Sequence, residues 1–525
     1  MAWRQHRQVI KNLCPLLLVT LTLLTVSPTS LAQSPDDVTA DTPYARGKRA
    51  LDARDGSTAI AEFSRCISAQ ANDVECHWEL GWSFFLTHDY KKARSAWRTV
   101  KRLTPRRSGL DKALKTINTH VAITTQARSL RAASPAGFTV DDAHPRTLIK
   151  IRAVGDTMLG TDFPHNMLPP DNTSSLEQIA PLLKGADITL ANYEGTLCDG
   201  GESQKCAVQG STSAAKGRMP EAAAAQATAR MAEGRAMQEQ LPGRAPAKGS
   251  ANVAESTTPG ATQETGNCFA FRSPRKFARF IKDAGFDVIS LANNHSFDFG
   301  EECRDQTEKT LGDLGIAWSG RQGTVARFER QSVPFSFIAF HSAHHTNTTL
   351  DIETAQQMVS AEKALGNLVI VAFHGGAEGL QALHTPNTAE LFMDENRGHV
   401  RRFARAVVDA GADIVFGSGP HVVRGMEVYK DRLIAYSLGN FATYRAFNIW
   451  GLNGIGLILE ADIDETGRFI AGKIIPTRQI GFGIPVPDKK MIAADVMRVL
   501  SKQDFPDTGV IIAQDGTLQK KHKMQ

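Results

Sequence analysis

The run Asn293-Asn294-His295, with Asp298 and Gly300 close behind, brings an amide, an imidazole and a carboxylate together in a short stretch. Mixed oxygen and nitrogen donors of this kind suit a borderline divalent ion such as Mn, Fe or Zn, whereas thiolates would select softer metals. The same residues could equally form a polar turn that caps a helix. Recurrence separates the two readings. Gly155-Asp156, Asn192-Tyr193-Glu194, His374-Gly375-Gly376-Ala377-Glu378, Gly417-Ser418-Gly419-Pro420-His421 and Ser437-Leu438-Gly439-Asn440-Phe441 each follow directly on a short apolar run.

Those runs, residues 148–154, 188–190, 286–291, 368–373, 414–416 and 434–436, have the length and composition of buried strands. Residues 273–284, 355–365 and 397–410 read as helices that precede three of them. In an open α/β sheet, ligands bind beyond the carboxyl ends of the strands. Six strands that deliver Asp, Asn, Glu or His just past that end therefore point at one pocket. A further strand over 335–340 leads into His341, His344 and His345, read as a polar loop.

Of the 525 residues, 42% are hydrophobic and 22% charged, as in a globular protein with a sizeable core. The length calls for two or three units. A net charge of +5 over that length, with no basic run interleaved with aromatics, gives no footprint for nucleic acid. Residues 1–32 read as an export signal. Arg4, Arg7 and Lys11 come first, then an apolar stretch over 15–26, then Ser30-Leu31-Ala32 at the cleavage positions. Cleavage there places the chain in the periplasm or cell envelope; left uncut, the stretch would anchor it in the membrane. The six cysteines beyond the leader permit disulfides in an oxidising compartment, with Cys66–Cys76 the first choice.

Gly47, Ala59 and Phe63 recur 34 residues later as Gly81, Ala93 and Trp97, the tetratricopeptide period. A small helical tetratricopeptide-like domain is expected over 33–133, as a spacer or as a surface for a protein partner. A linker over 134–147 and an α/β domain over 148–520 follow. Residues 199–267 interrupt that domain. They are rich in Ala, Gly, Ser and Thr without one aromatic residue, a composition expected to stay unfolded.

Taken together, Gly155-Asp156, Asn192-x-Glu194, Asn293-Asn294-His295-x-x-Asp298-x-Gly300, His374-x-Gly376-x-Glu378, Gly417-x-x-Pro420-His421 and Ser437-Leu438-Gly439-Asn440-Phe441 resemble the motif series of the CapA family, the poly-γ-glutamate capsule synthesis proteins. The resemblance covers roughly residues 148–486. It implies a metallophosphoesterase-like four-layer α/β/β/α sandwich with a metal site at one edge. It makes Asp156, Asn294, His374 and His421 metal ligands and puts His295 near the reacting group. Glu194 and Glu378 become ligands or the general base and acid. Asn192, Asn293, Asp298, Ser437 and Asn440 are left to contact substrate. The implied chemistry is activation of water by a divalent ion, Mn, Fe or Zn, that also stabilises the developing charge.

Two departures qualify it. Asp156 is followed by Thr157 and Met158, where metallophosphoesterases have Asp-x-His. Ser418 and Gly419 stand where family members often carry histidines. One ligand fewer implies one ion rather than two. The implied function is metal-dependent hydrolysis or transfer on an anionic envelope polymer, or its peptide-like unit, of the poly-γ-glutamate type. The alternatives are a non-catalytic component of polymer assembly or export, and a metal-assisted epimerase acting at a peptide α-carbon.

Overall fold

The computed structural model describes residues 41–139, 148–170, 173–206 and 269–521. The expected leader and most of the expected insertion lie outside them.

Two sheets stack face to face. In the first, Leu148–Met158 is central. It runs parallel to Ile188–Tyr193, which leads on to Val288–Ser290 and Ala317–Ser319. On its other side it is antiparallel to Ile455–Asp464, which pairs with Phe469–Ile480. In the second sheet Val333–His341, Leu368–His374, Ile414–Ser418 and Arg432–Ala435 are parallel. Ala326–Arg330 and Met426–Tyr429 close its edges antiparallel.

Strand side chains alternate between faces, so one strand can serve two cores. Ile149, Ile151 and Ala153 of the first sheet share the inner core with Phe335, Phe337, Ile414 and Phe416 of the second. The outward Ala191, Tyr193 and Ile289 meet Phe280 and Ile281 of the helix Ala278–Ala284. On the far side, Ile338, Phe340, Val369 and Val415 meet Val359 of the helix Ile352–Ala364 and Phe403 and Val407 of the helix Val400–Asp409. The order of layers is α/β/β/α, as the resemblance implied. The last helix shows how sequence sets its face. Val400, Phe403, Ala404, Val407 and Val408 fall on one stripe of a 3.6-residue period and are all buried.

Five helices precede the sandwich: Pro43–Asp52, Gly56–Ala69, Val74–Leu86, Tyr90–Leu103 and Leu110–Ala132. Thr42, Asp55, Asp73 and Asp89 cap the first four, each accepting the backbone N–H three residues on. The 34-residue recurrence has a physical cause. A Cβ on Gly47 would lie 2.7 Å from Phe63, and one on Gly81 would lie 2.1 Å from Trp97. Each glycine thus lets two helices close over an aromatic ring. Disulfides join Cys66 to Cys76 and Cys198 to Cys303.

The helical unit does not hang free. Its last helix packs on Ile492–Asp504, whose residues from Ile492 to Ser501 are all buried, and Arg131 pairs with Asp495 at 3.2 Å. Trp450 enters an aromatic cluster with Trp82 and Phe85. The Leu452 N–H donates to His120 Nε2 at 3.2 Å.

Several boundaries differ from the sequence expectation. The first strand runs on through Asp156 to Met158, because Asp156 pairs with both Asn192 and Asn440. The helix expected over 397–410 begins at Val400, which leaves Arg397 in a loop. The helix Gly300–Asp313, the long hairpin 455–480 and the helix Ile492–Asp504 carry no polar strand-end motif and were not anticipated. Residues 199–206, expected to open the insertion, pack against the motif loop. Gln204 N donates to the Asp298 carbonyl, and Arg275 pairs with Asp199 at 2.8 Å.

Candidate metal centre

The motifs meet where the two sheets present their carboxyl ends side by side. Gly155 precedes Asp156 because two backbones cross there: a Cβ on Gly155 would lie 1.8 Å from the Gly439 carbonyl. The Asp156 N–H donates to that same carbonyl at 2.9 Å. His421 sits at φ +57°, a left-handed conformation uncommon for a residue with a Cβ. Strain of this kind persists where surrounding contacts over-determine it, and it clusters at functional sites.

Glu194 is the hub. Its side chain is fully buried, and the Nε2 atoms of three histidines converge on its Oε1: His421 at 3.6 Å, His295 at 3.9 Å and His374 at 3.9 Å. These distances are too long for hydrogen bonds, which end near 3.2 Å for N–H···O. They match two ligands that share an ion, since donors about 2.1 Å from a common point lie about 3 to 4 Å apart. Asp156, Glu194 and His374 each offer a ligand atom within 4.8 Å of one another.

Both Glu194 oxygens, His374 Nε2 and Asn294 Oδ1 are buried with no hydrogen-bond partner among the described residues. Leaving a buried polar atom unpaired costs about 1 to 3 kcal/mol, so the three facing atoms of Glu194 and His374 are expensive for folding alone. Carboxylate, imidazole and amide donors fit a divalent ion of the Mn, Fe or Zn kind.

Neighbours aim these groups. Asn192 Nδ2 donates to Asp156 Oδ1 at 2.9 Å and lies 3.3 Å from His374 Nδ1. Ser418 Oγ donates to the Phe373 carbonyl and sits 3.2 Å from His374 Nδ1. It can therefore accept the Nδ1 proton and leave the Nε2 lone pair toward Glu194. Ser418, where family members often carry a ligand, thus orients one instead. His295 Nδ1 is held by Asp298 Oδ2 at 2.7 Å, and its ring stacks on Phe271 with centroids 4.2 Å apart. His421 Nδ1 lies 3.0 Å from both Asp156 Oδ2 and Asn440 Oδ1. Glu378 stands at the mouth, with Oε2 3.7 Å from His421 Nε2 and Oε1 3.2 Å from Arg397 Nη1.

Five residues expected to contact substrate are instead engaged inside the protein. Asn293 donates to Asn192 Oδ1 and the Tyr193 carbonyl, and accepts the His295 N–H. Ser437 Oγ donates to the Val422 carbonyl. Asn440 Nδ2 donates to the Asn453 carbonyl at 3.1 Å. Asn192 and Asp298 hold His374, Asp156 and His295 as above. All five are buried and hydrogen-bonded within the protein. Glu194, expected as ligand or acid–base group, is grouped with Asp156 and His374 in a triad with the spacing of metal ligands. Sequence reading overlooked Arg397, Phe271, Phe447 and Lys205. Lys205 reaches the Asn294 carbonyl at 2.9 Å from a stretch whose composition pointed to disorder. Phe271 and Phe447 lie in segments without a motif.

Charge is unevenly shared. Burial pushes the Glu194 carboxyl well above its ordinary range, even though His421 opposes the shift. Burial, then the neighbouring His341 and Arg397, hold His374 well below its usual value, so its ring is neutral. Burial also lowers His295. For His421 burial acts downward, but Glu194, Asp156 and Glu378 overcome it and push it up to about 10. Three carboxylates around one imidazole call for positive charge. A proton on His421 supplies one unit; a divalent ion would supply two.

Comparison with known proteins agrees with this geometry. Residues 249–445 match the family described as bacterial capsule synthesis protein PGA_cap, a span that holds His295, His374 and His421. The chain is 29% identical over 187 residues to the PGA biosynthesis protein CapA of Bacillus subtilis, covering 32% of this chain and 45% of that protein. It is 63% identical over 230 residues to an uncharacterized protein of Sinorhizobium fredii, covering 31% of this chain and 50% of that one. The chain thus spans about half the length of the curated relatives it matches. Among solved structures, a 5'-nucleotidase precursor from Thermus thermophilus aligns over 68% of this chain and 59% of its own, with 11% identity and a TM-score of 0.30. Over the residues matched, the α/β sandwich of this chain, with the pocket at its rim, is similar to the CapA capsule synthesis proteins.

Proposed function

We propose that this protein performs metal-dependent hydrolysis or transfer on an anionic cell-envelope polymer of the poly-γ-glutamate type, as part of capsule synthesis. The observation that carries the reading is the convergence of His295, His374 and His421 on the buried, unpartnered carboxylate of Glu194. Asp156, Glu194, His374 and Asn294 would hold the ion, with His421 beside them. When bound, the ion supplies Lewis acidity and makes water a better nucleophile near neutral pH.

The protein's own groups do the rest. Asp298 fixes the Nδ1–H tautomer of His295, which leaves the Nε2 lone pair facing the pocket to take a proton from the attacking water or hydroxyl. Phe271 and Phe447 flank the rings of His295 and His421 and keep water from their faces. Glu378, partly open to solvent, is placed to carry protons in and out. The names of the Bacillus relatives support the substrate class, since both refer to PGA or capsule biosynthesis. The disulfides Cys66–Cys76 and Cys198–Cys303 support a place outside the cytoplasm, in the periplasm or envelope. Among the described residues no helix is long and apolar enough to cross a membrane. The paired helices are read as tetratricopeptide-like, with a protein partner on their outer face.

The test uses the full chain, a panel of divalent ions and poly-γ-glutamate of defined length. Shortening of the polymer should require the ion and should fall at least about 100-fold in His295→Ala, the range for loss of general acid–base help. Shortening that is unchanged in that variant, or no shortening with any ion, would contradict the reading.

A further inference from the structure

Arg397 is a buried charge that its neighbours among the described residues leave partly open. Its side chain is 1% exposed. Its Nη1 pairs with Glu378 Oε1 at 3.2 Å and Glu395 Oε2 at 3.5 Å. Nε and Nη2 are buried and have no hydrogen-bond partner among the described residues. Those two nitrogens lie on one edge of the guanidinium, the edge whose parallel N–H groups match the two oxygens of a carboxylate or phosphate.

Glu378 ties the guanidinium to the pocket. Glu378 holds the guanidinium through one oxygen, and its other oxygen is 3.7 Å from His421 Nε2. The charge of Arg397 also acts on Glu194 and His374. Another buried arginine shows what a purely structural one looks like here. Arg424 has Nε on the Ala382 carbonyl, Nη1 and Nη2 on Glu390, and Nη2 also on the Ala377 carbonyl. All three of its nitrogens are used.

We infer that the Nε/Nη2 edge of Arg397 anchors an oxyanion of the ligand beside the metal pocket. This rests on the reading of the pocket given above and adds the recognition element to it. A γ-linked glutamyl chain carries a free α-carboxylate on every residue. Lysine keeps the charge at this position but lacks the fork, so it replaces arginine poorly at a bidentate site.

The experiment is calorimetric titration of the full chain with a γ-linked glutamyl trimer, with the same trimer bearing α-carboxamides, and with inorganic phosphate. Metal content is assayed on each sample. The wild type should bind the acid trimer and not the amide. Arg397→Lys should lose about 10- to 100-fold in affinity, the range for a charged hydrogen bond, with metal content unchanged. Competition by phosphate would show that the anchor takes phosphoryl groups as well; its absence would assign the edge to carboxylates. Equal binding of acid and amide, or equal binding by wild type and Arg397→Lys, overturns the inference and leaves the metal reading standing. Loss of metal from the wild type would instead count against that reading. Should Arg397→Lys fail to fold, the trimers can be compared by the shift in wild-type melting temperature. The acid alone should raise it, and a rise with both overturns the anchor.

Discussion

Two pairs of buried charges in this fold make a natural comparison. Glu427 and Arg424 are fully satisfied. Glu427 takes Arg405 at 2.9 and 2.6 Å, the Tyr436 hydroxyl at 2.8 Å and Thr508, and Arg424 uses all three nitrogens. Glu194 and Arg397 are equally buried, yet both oxygens of the one and two nitrogens of the other have no hydrogen-bond partner among the described residues. All four sit in or near the same sandwich, so burial does not separate them; satisfaction does. A buried charge closed by its neighbours serves the fold, and one left open at a rim of converging histidines marks a place for something else.

The largest expected effect breaks the satisfied pair. Arg424→Ala strips the partner from Glu390 and should cost about 3 to 5 kcal/mol of stability, read by urea denaturation. Glu194→Gln keeps the shape and breaks no hydrogen bond among the described residues, so in chelator it should cost far less stability than Arg424→Ala. Similar losses in both variants would erase the distinction.

A smaller effect should appear at the seam between the helical unit and the sandwich. Burial, then the cations Arg478 and Lys490, lower His88 to about 3, and burial lowers His120 to about 4. Both are neutral in the folded protein, while the unfolded chain takes up protons near pH 6.5. Their contribution is therefore full above pH 6.5. It is lost as pH falls toward 4 and then 3, at about 1.4 kcal/mol per pH unit for each group. Denaturation between pH 7 and pH 4.5 should show this loss, and His88→Asn should flatten it. If wild type and variant fall in parallel, His88 is not the group responsible. The seam also bears on the pocket. Trp450 and Leu452 are held by the helices, and Asn453 in the same loop holds Asn440 and the His421 carbonyl.

Much of this pocket was legible before any coordinates. Asp156, Glu194, His295, His374 and His421 share one property visible in sequence: each follows an apolar strand run, and parallel strands put such ends on one rim. What was not legible is role. Asn293, Asp298 and Ser437 have the same residue types at the same kind of position, but hydrogen bonds to atoms distant in sequence turn them inward. Arg397 was hidden because the helix was read as starting at it, and only the structure shows the chain still in a loop there. Lys205 was hidden by composition, since eight residues at the edge of a low-complexity stretch are held by contacts to Asp298 and Arg275 that no local pattern reveals.

The central claim is that the open donors around Glu194 hold a divalent ion. Metal content of the full chain, purified from its own compartment and measured by plasma mass spectrometry beside Glu194→Gln and His374→Ala, tests it most directly. The expected result is about one Mn, Fe or Zn per chain in the wild type and a loss of at least about tenfold in both variants. A wild type without bound metal after exposure to all three ions, or variants that retain it in full, would contradict the claim.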